Sequence, residues 1–226
     1  MAVLAAGPAM AGAITGDGRI DFTDHTDWGG ANGSTSFAAT VFDNVTVTLT
    51  ATGGSLSTNA GESLGWVSGN CSAPYSTGLK CDGDGIGIGD DEITGKWGEV
   101  LTVTFTDEND DPFTVSLVRI ELLDLFDGLA GKSDPEAEIA LYGVNGAVAS
   151  IAINPITGMT NGGTGYQVVD IDPALAITSI EFRGRNDDYS DFALARLTLA
   201  VPEPATLALF AFGLAGLAVT RRRRSA

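Results

Sequence analysis

VTVTLT at residues 45–50, matched by LTVTF at residues 101–105, is the pattern that decides how this chain folds. In both stretches every second residue is apolar, and threonines stand between. Because successive side chains of a β-strand point to opposite faces, this period of two places the large apolar groups on one face. That face has to be buried, and we expect an opposing sheet to cover it.

Similar short runs, separated by turn-forming residues, occur along most of the chain. Turn signals at residues 109–112, 145–146 and 161–163 fall between such runs. We therefore predict an all-β domain over residues 12–200, a β-sandwich for which the jelly roll is the favoured topology. The predicted strands are residues 19–23, 45–51, 99–106, 113–123, 138–142, 148–153, 166–171, 179–183 and 192–200.

Length and charge limit the partners of this domain. A chain of 226 residues can hold one sizeable all-β domain with short processing segments. Residues 1–200 hold 28 acids and 8 bases, a net charge of −20. Such a domain repels polyanions, which argues against nucleic acid as a partner, whereas divalent cations and neutral glycans are compatible with it.

The C-terminal tail, residues 201–226, carries the most specific signal. An uncharged run over residues 205–220 would form a helix about 24 Å long, slightly shorter than the hydrocarbon core of a bilayer. We predict a transmembrane helix, helped by bilayer thinning or by flanking side chains that snorkel. The basic residues that follow are costly to translocate and should stay cytoplasmic. They are Arg221, Arg222, Arg223 and Arg224.

The order of parts in this tail resembles the PEP-CTERM sorting signal of bacteria that make exopolysaccharide. Pro202, Glu203 and Pro204 come first, then the apolar run, then the arginines. The resemblance implies that an exosortase, an integral-membrane cysteine protease, recognises those three residues and processes the chain near them. It also implies a precursor held in the inner membrane, transiently or permanently, with a periplasmic domain, and then delivery to the cell surface or the extracellular matrix.

The N-terminus supports export. Residues 1–11 are apolar and end in an A-x-A pattern, which is typical of a signal-peptide cleavage site. No Lys or Arg precedes the apolar stretch, so we interpret residues 1–11 as a partial signal peptide and expect the true start upstream.

Parts of the domain resemble the secreted β-sandwich domains that often precede such tails. The matching stretches are GIGIGDDEI at residues 85–93, GEVLTVTF at residues 98–105 and DFALARL at residues 191–197. This resemblance implies a secreted β-sandwich and assigns no activity to it.

Two cysteines fit an exported protein. Cys71 and Cys81 lie ten positions apart in a stretch rich in Gly, Ser and Pro, and we predict a disulfide that stabilises the fold by roughly 2–3 kcal/mol. With a single histidine in the chain, two cysteines cannot make a structural zinc site.

A glycine-rich loop carries the densest acidic cluster, for which two interpretations stay open. We favour a solvated turn; the alternative is a calcium site, because calcium takes six to eight oxygen ligands. No EF-hand spacing is present. Two further acidic groups are residues 107–111 and 186–191. The candidate ligands are Asp82, Asp84, Asp90, Asp91 and Glu92.

No catalytic signature stands out. The chain has no G-x-S-x-G motif, and its one histidine, His25, leaves little for a nucleophile–base pair. We predict a protein that is not an enzyme, structural or adhesive in exopolysaccharide. The alternative is a secreted carbohydrate-binding protein or carbohydrate-active enzyme, with paired carboxylates and a sugar-stacking aromatic platform. Candidate aromatics are Trp28, Trp66, Trp97, Tyr75 and Tyr189, although core packing is favoured for each.

Overall fold

The described part of the chain is built almost entirely of β-strands. The computed structural model describes residues 18–42, 45–58, 78–83, 85–89, 92–95, 97–123, 125, 137–153, 166–185 and 192–200. A four-residue helix, α1 (His25–Trp28), leads into a 3-10 turn (Gly29–Ala31). The strands are β1 (Arg19–Asp21), β2 (Ser36–Phe42), β3 (Val45–Thr52), β4 (Leu56–Ser57), β5 (Gly87–Ile88), β6 (Val100–Thr106), β7 (Val115–Leu123), β8 (Ala137–Gly143), β9 (Gly146–Ile153), β10 (Gln167–Asp170), β11 (Ala176–Ile177), β12 (Ser179–Gly184) and β13 (Ala193–Leu199).

Two large antiparallel sheets contain most of these strands. The six-stranded sheet has the order β2-β3-β6-β12-β8-β9. The five-stranded sheet has the order β1-β13-β7-β10, and β11 pairs with another part of β7. The short strands β4 and β5 form a separate pair. Neighbouring strands in both large sheets are mostly distant in sequence, so the fold depends on long-range pairing.

The two stretches that decided the prediction are direct neighbours. In the pairing of β3 with β6, Val47 lies opposite Phe105 and Leu49 opposite Val103. All four side chains are at most 1% exposed, while the alternate threonines are half-buried or exposed. The predicted one-sided burial is therefore confirmed.

All nine predicted strands are present, with ends that shift by at most two residues, but β2 and the two-residue strands β4, β5 and β11 were not predicted. Strand β2 pairs along β3 at one end of the six-stranded sheet. Its inward-facing Phe37, Ala39 and Val41 are only half-buried against the core. Two alanines and a serine make its alternation weak, which explains the omission.

Of the three predicted turns, one is confirmed and one is shifted by a residue. At residues 107–112 the Asp107 carboxylate accepts the N–H groups of Asn109 (2.8 Å) and Asp111 (3.0 Å). The hairpin between β8 and β9 has Val144 and Asn145 as its two loop residues, not Asn145 and Gly146, because Gly146 already pairs with Gly143. The predicted turn at residues 161–163 lies outside the described residues.

A single cluster of buried apolar side chains draws on both large sheets. From the six-stranded sheet it includes Leu49 of β3 and Phe182 of β12, and from the five-stranded sheet Leu117 of β7 and Leu197 of β13. Each of these side chains is fully buried. One face of each sheet therefore contributes to the same core.

The predicted transmembrane helix, residues 205–220, lies outside the described residues. Within the described ranges, no helix is both long and apolar enough to cross a bilayer.

A short covering segment, residues 78–83, packs on the other face of the five-stranded sheet. The Lys80 N–H donates to Asp21 Oδ2 (2.8 Å), and the Cys81 N–H donates to Thr23 Oγ1 (3.0 Å). Leu79 and Cys81 contact a small apolar cluster made by Leu123 and Ala195. The covering segment is thus attached by both hydrogen bonds and apolar contact.

A buried ion pair lies on this same face of the five-stranded sheet. Arg196 Nη1 of β13 is 3.5 Å from Glu121 Oε1 of β7, and both side chains are only 4% exposed. The Tyr166 hydroxyl donates to Glu121 Oε2 at 2.7 Å. Burial, and then this hydrogen bond, raise the pKa of Tyr166 above its usual range. Nε and Nη2 of Arg196 are buried and make no hydrogen bond to the described part of the chain.

We expect the substitution E121Q to lower the free energy of unfolding by about 3–5 kcal/mol, because it leaves the guanidinium charge of Arg196 buried without a counter-charge. Replacing all three partners by apolar groups in the triple variant E121L/R196M/Y166F should be much less costly, since it leaves no uncompensated charge. Urea denaturation of each variant measures both effects.

The matched control is the exposed pair of Arg119 and Asp170, whose side chains are 46% and 73% exposed at an Nε–Oδ1 distance of 2.8 Å. D170N should change the free energy of unfolding by less than about 1 kcal/mol. Equal losses in E121Q and D170N would show that burial does not set the cost.

Candidate functional site

Most of the predicted site residues lie outside the described residues, so their roles stay predictions. Cys81, Asp82 and Glu92 are described, but the partner of the predicted disulfide, Cys71, is not. The others outside the described ranges are Asp84, Asp90, Asp91, Pro202, Glu203, Pro204, Arg221, Arg222, Arg223 and Arg224.

The two described members of the acidic cluster occupy different settings. The Asp82 side chain is exposed, and its Oδ2 lies 3.4 Å from Nζ of Lys80, within the covering segment. Glu92 is half-buried, and its backbone carbonyl accepts the N–H of Ile88 at 3.0 Å. Among the described residues no three His, Cys, Asp or Glu side chains come together. Calcium binding by the full cluster is therefore not tested by this geometry.

Ile86, in the glycine-rich loop between those two acids, pairs with β13. Ile86 and Leu194 of β13 exchange backbone hydrogen bonds of 2.9 and 3.0 Å. Gly85 has a φ of +98°, and a Cβ there would lie 2.4 Å from the carbonyl oxygen of Leu194. Only glycine allows this approach. The carbonyl of Ile86 is consequently engaged with β13.

Of the two other acidic groups, the structure describes residues 107–111 and leaves residues 186–191 outside the described ranges. At residues 107–111 the Asp107 carboxylate is occupied by the turn, and Glu108, Asp110 and Asp111 are exposed. This agrees with a solvated turn. The acidic positions of the last group, Asp187, Asp188 and Asp191, and also Asn186, lie outside the described ranges.

The candidate aromatics do not form a platform within the described residues. Trp28 is 2% exposed and packs on Phe22, with ring centroids 4.6 Å apart, so the favoured core interpretation is confirmed for it. Trp97 is 67% exposed. Trp66, Tyr75 and Tyr189 lie outside the described ranges.

A groove that the sequence did not reveal lies on the outer face of β8, β9 and β12. Its volume is about 460 Å³. Small side chains open it: Ala140 lies opposite Ser150, and Ala147 lies opposite Tyr142. The pairing of β8 with β9 shifts register beside Tyr142, and such an irregularity bends and twists the strand locally. The remaining lining residues are Glu138, Val148, Ala149 and Arg183.

Polar groups of this groove form two hydrogen-bonded sets. The Tyr142 hydroxyl donates to Glu181 Oε2 at 2.9 Å, and Arg183 Nη2 makes a close ion pair with the same oxygen. Ser150 Oγ donates to Glu138 Oε1 at 3.1 Å. The hydrogen bond to Glu181 is the main cause that raises the pKa of Tyr142, so its phenol stays protonated at neutral pH.

The groove therefore offers an aromatic ring, two hydroxyl groups, the Glu138 carboxylate and the Arg183 guanidinium. The Glu181 carboxylate, bound to both Tyr142 and Arg183, lies beside them. Ring stacking combined with hydrogen bonds suits a polar, uncharged ligand such as a sugar. Tyr142 and Glu138 were missed because outward positions of an alternating strand look like ordinary solvent-facing residues. The one available signal was the small Ala and Gly residues of the following strand.

The C-terminal tail matches a known family model. Residues 200–224 match the family model of the PEP-CTERM protein-sorting motif. The chain carries a PEP-CTERM sorting motif. The resemblance seen in the order of Pro-Glu-Pro, apolar run and arginines is confirmed.

A PEP-CTERM tail implies an exported protein that an exosortase sorts, through a membrane-anchored precursor, to the surface. No curated protein and no solved structure matches the chain. The match to the PEP-CTERM model is confined to the tail, and the groove lies in the β-domain that precedes it.

Calcium remains a prediction with a direct test. If the loop acids bind calcium, the ion at a hundred times its dissociation constant should stabilise the protein by about 2.7 kcal/mol. Calorimetric titration and melting with and without chelator measure this. The variant D82N/D84N should lose the stabilisation, whereas E108Q, in the turn at residues 107–112, should keep it. Absence of both binding heat and a melting shift would rule the site out.

Proposed function

We propose that this chain is an exported cell-envelope or extracellular-matrix protein, sorted by an exosortase through its PEP-CTERM tail and structural or adhesive in exopolysaccharide. The observation that carries the proposal is the sorting motif at residues 200–224. The β-domain before it is the proposed exported cargo, and the groove on its six-stranded sheet is a depression that could hold a ligand.

The cargo domain is proposed to be a β-sandwich of jelly-roll type. Its support is the single core to which both large sheets contribute one face. Long-range antiparallel pairs, such as β1 with β13 and β3 with β6, are typical of Greek-key connections.

The orientation of the precursor follows from charge. Arg221, Arg222, Arg223 and Arg224 follow the apolar run directly, and a cluster of four arginines is costly to move across the inner membrane. In the proposed precursor this cluster is cytoplasmic and the β-domain is periplasmic. Exosortase processing near Pro202, Glu203 and Pro204 then releases the domain.

Association with exopolysaccharide is supported by the groove and by the charge of the domain. Residues 1–200 carry a net charge of −20, which disfavours acidic polymers. The Tyr142 ring and the hydroxyl of Ser150 are suited to a neutral sugar. We propose binding without turnover, so the protein is not an enzyme.

A carbohydrate-active enzyme is the second candidate, because Glu138 lines the groove and Glu181 is bound to its lining residue Tyr142. Glycoside hydrolysis needs only two suitably placed acids. Glu181, however, is already engaged by both Tyr142 and Arg183, which leaves it poorly placed to contact a substrate.

The sorting role predicts how tail variants are processed in the native host. Replacing Pro202, Glu203 and Pro204 by alanine should leave the tail attached, because the recognition residues are gone. Replacing the four arginines by lysines keeps the charge and should leave processing intact. Mass spectrometry of the protein from each strain identifies both termini. An unprocessed wild-type tail in the mature product would contradict the proposal.

The groove predicts glycan retention that depends on Tyr142. We expect Y142A to lower the affinity of the mature protein for the host exopolysaccharide by about tenfold, since aromatic contacts and one hydrogen bond are lost. Y166F, on the other sheet, is the tyrosine control and should bind normally. Released reducing sugar would favour the enzyme, and equal binding by wild type and Y142A would exclude this groove.

A further inference from the structure

Three adjacent strands of the six-stranded sheet contain no charged residue. They are β2 (SFAATVF), β3 (VTVTLTAT) and β6 (VLTVTFT). Threonines take most of the outward positions, half-buried or exposed, together with Ser36, Ala38 and Val100. This threonine face consists of Thr40, Thr46, Thr48, Thr50, Thr52, Thr102, Thr104 and Thr106.

The threonine face continues the groove across the sheet. Glu181 of β12, which binds the Tyr142 hydroxyl, lies opposite Ala140 on one side and Thr102 on the other. Thr102 lies opposite Thr50, and Thr50 opposite Ser36 at the last strand. This row crosses all six strands, from β9 to β2, in five steps of about 4.8 Å, so it is about 24 Å long.

Residues 1–200 carry 28 acids and 8 bases, but none of them lies on β2, β3 or β6. Threonine has a high β-propensity, which explains why it suits these strands. A face without charge allows a neutral polymer to approach without desolvating ions. Threonine hydroxyls can both donate and accept, as sugar hydroxyls do.

Resting on the proposed function, we propose that the outer face of the six-stranded sheet binds one extended, neutral glycan chain, which starts at the groove and crosses the threonine face. The protein then recognises a length of polymer, not a single sugar or a chain end. An acidic glycan does not fit, because the one base at the groove, Arg183, is already paired with Glu181.

The experiment uses the mature protein and exopolysaccharide of the same host, partly hydrolysed and separated into neutral and acidic fractions of defined chain length. Calorimetry measures the affinity for each fraction. We expect neutral chains to bind more tightly as they lengthen, until they span the row, and acidic chains to bind at least tenfold more weakly.

The decisive variant is T50V/T102V, which removes two hydroxyls from the row and keeps β-branched side chains. It should weaken binding of long neutral chains by about tenfold, from two lost hydrogen bonds, and leave short chains unaffected. T198V, on β13 of the other sheet, is the matched control and should change neither. Unchanged melting temperatures show that the variants fold.

The outcomes separate the two proposals. If Y142A abolishes binding but T50V/T102V binds long chains as the wild type does, the extended surface is wrong and the groove stands. Preference for acidic chains would also overturn the extended neutral surface. If the wild type binds no fraction, association with exopolysaccharide fails together with this inference.

Discussion

The pairing of β3 with β6 is the constraint on which the rest of the structure depends. It places Val47 and Leu49 opposite Phe105 and Val103, so that one side of the sheet is wholly apolar. A shift of one residue in this register would turn the apolar groups to solvent and the threonines into the core. The same register that builds the core therefore also builds the threonine face.

The five-stranded sheet differs from the six-stranded sheet, because neither of its faces is freely solvated near β13. One face joins the common core, while residues 78–83 cover the other over Glu121 and Arg196. A buried pair of this kind contributes little net stability but makes the alternative of an unpaired charge very costly. It thus favours one arrangement of β7, β13 and Tyr166 over others.

The strands could be predicted from the sequence because alternation is a local property. The apolar alternation of Val45 to Thr50 is enough to predict a strand. Ser36 to Phe42 alternate only weakly, and their strand is seen only from its pairing with β3. The groove could not be predicted, since it depends on which residues of β8 and β9 lie opposite one another beside a register shift. The ion pair joins residues from distant strands. The sorting tail was predictable because its signal lies in the order of residues and not in their packing.

The last strand ends at Leu199, and the N–H of Ala200 still donates to the carbonyl of Ser116 at 2.7 Å. The PEP-CTERM motif begins at that same residue. Pro202 follows Ala200 by only two residues. Exosortase processing near Pro202 would therefore act within a few residues of a chain end that is hydrogen-bonded into the folded domain.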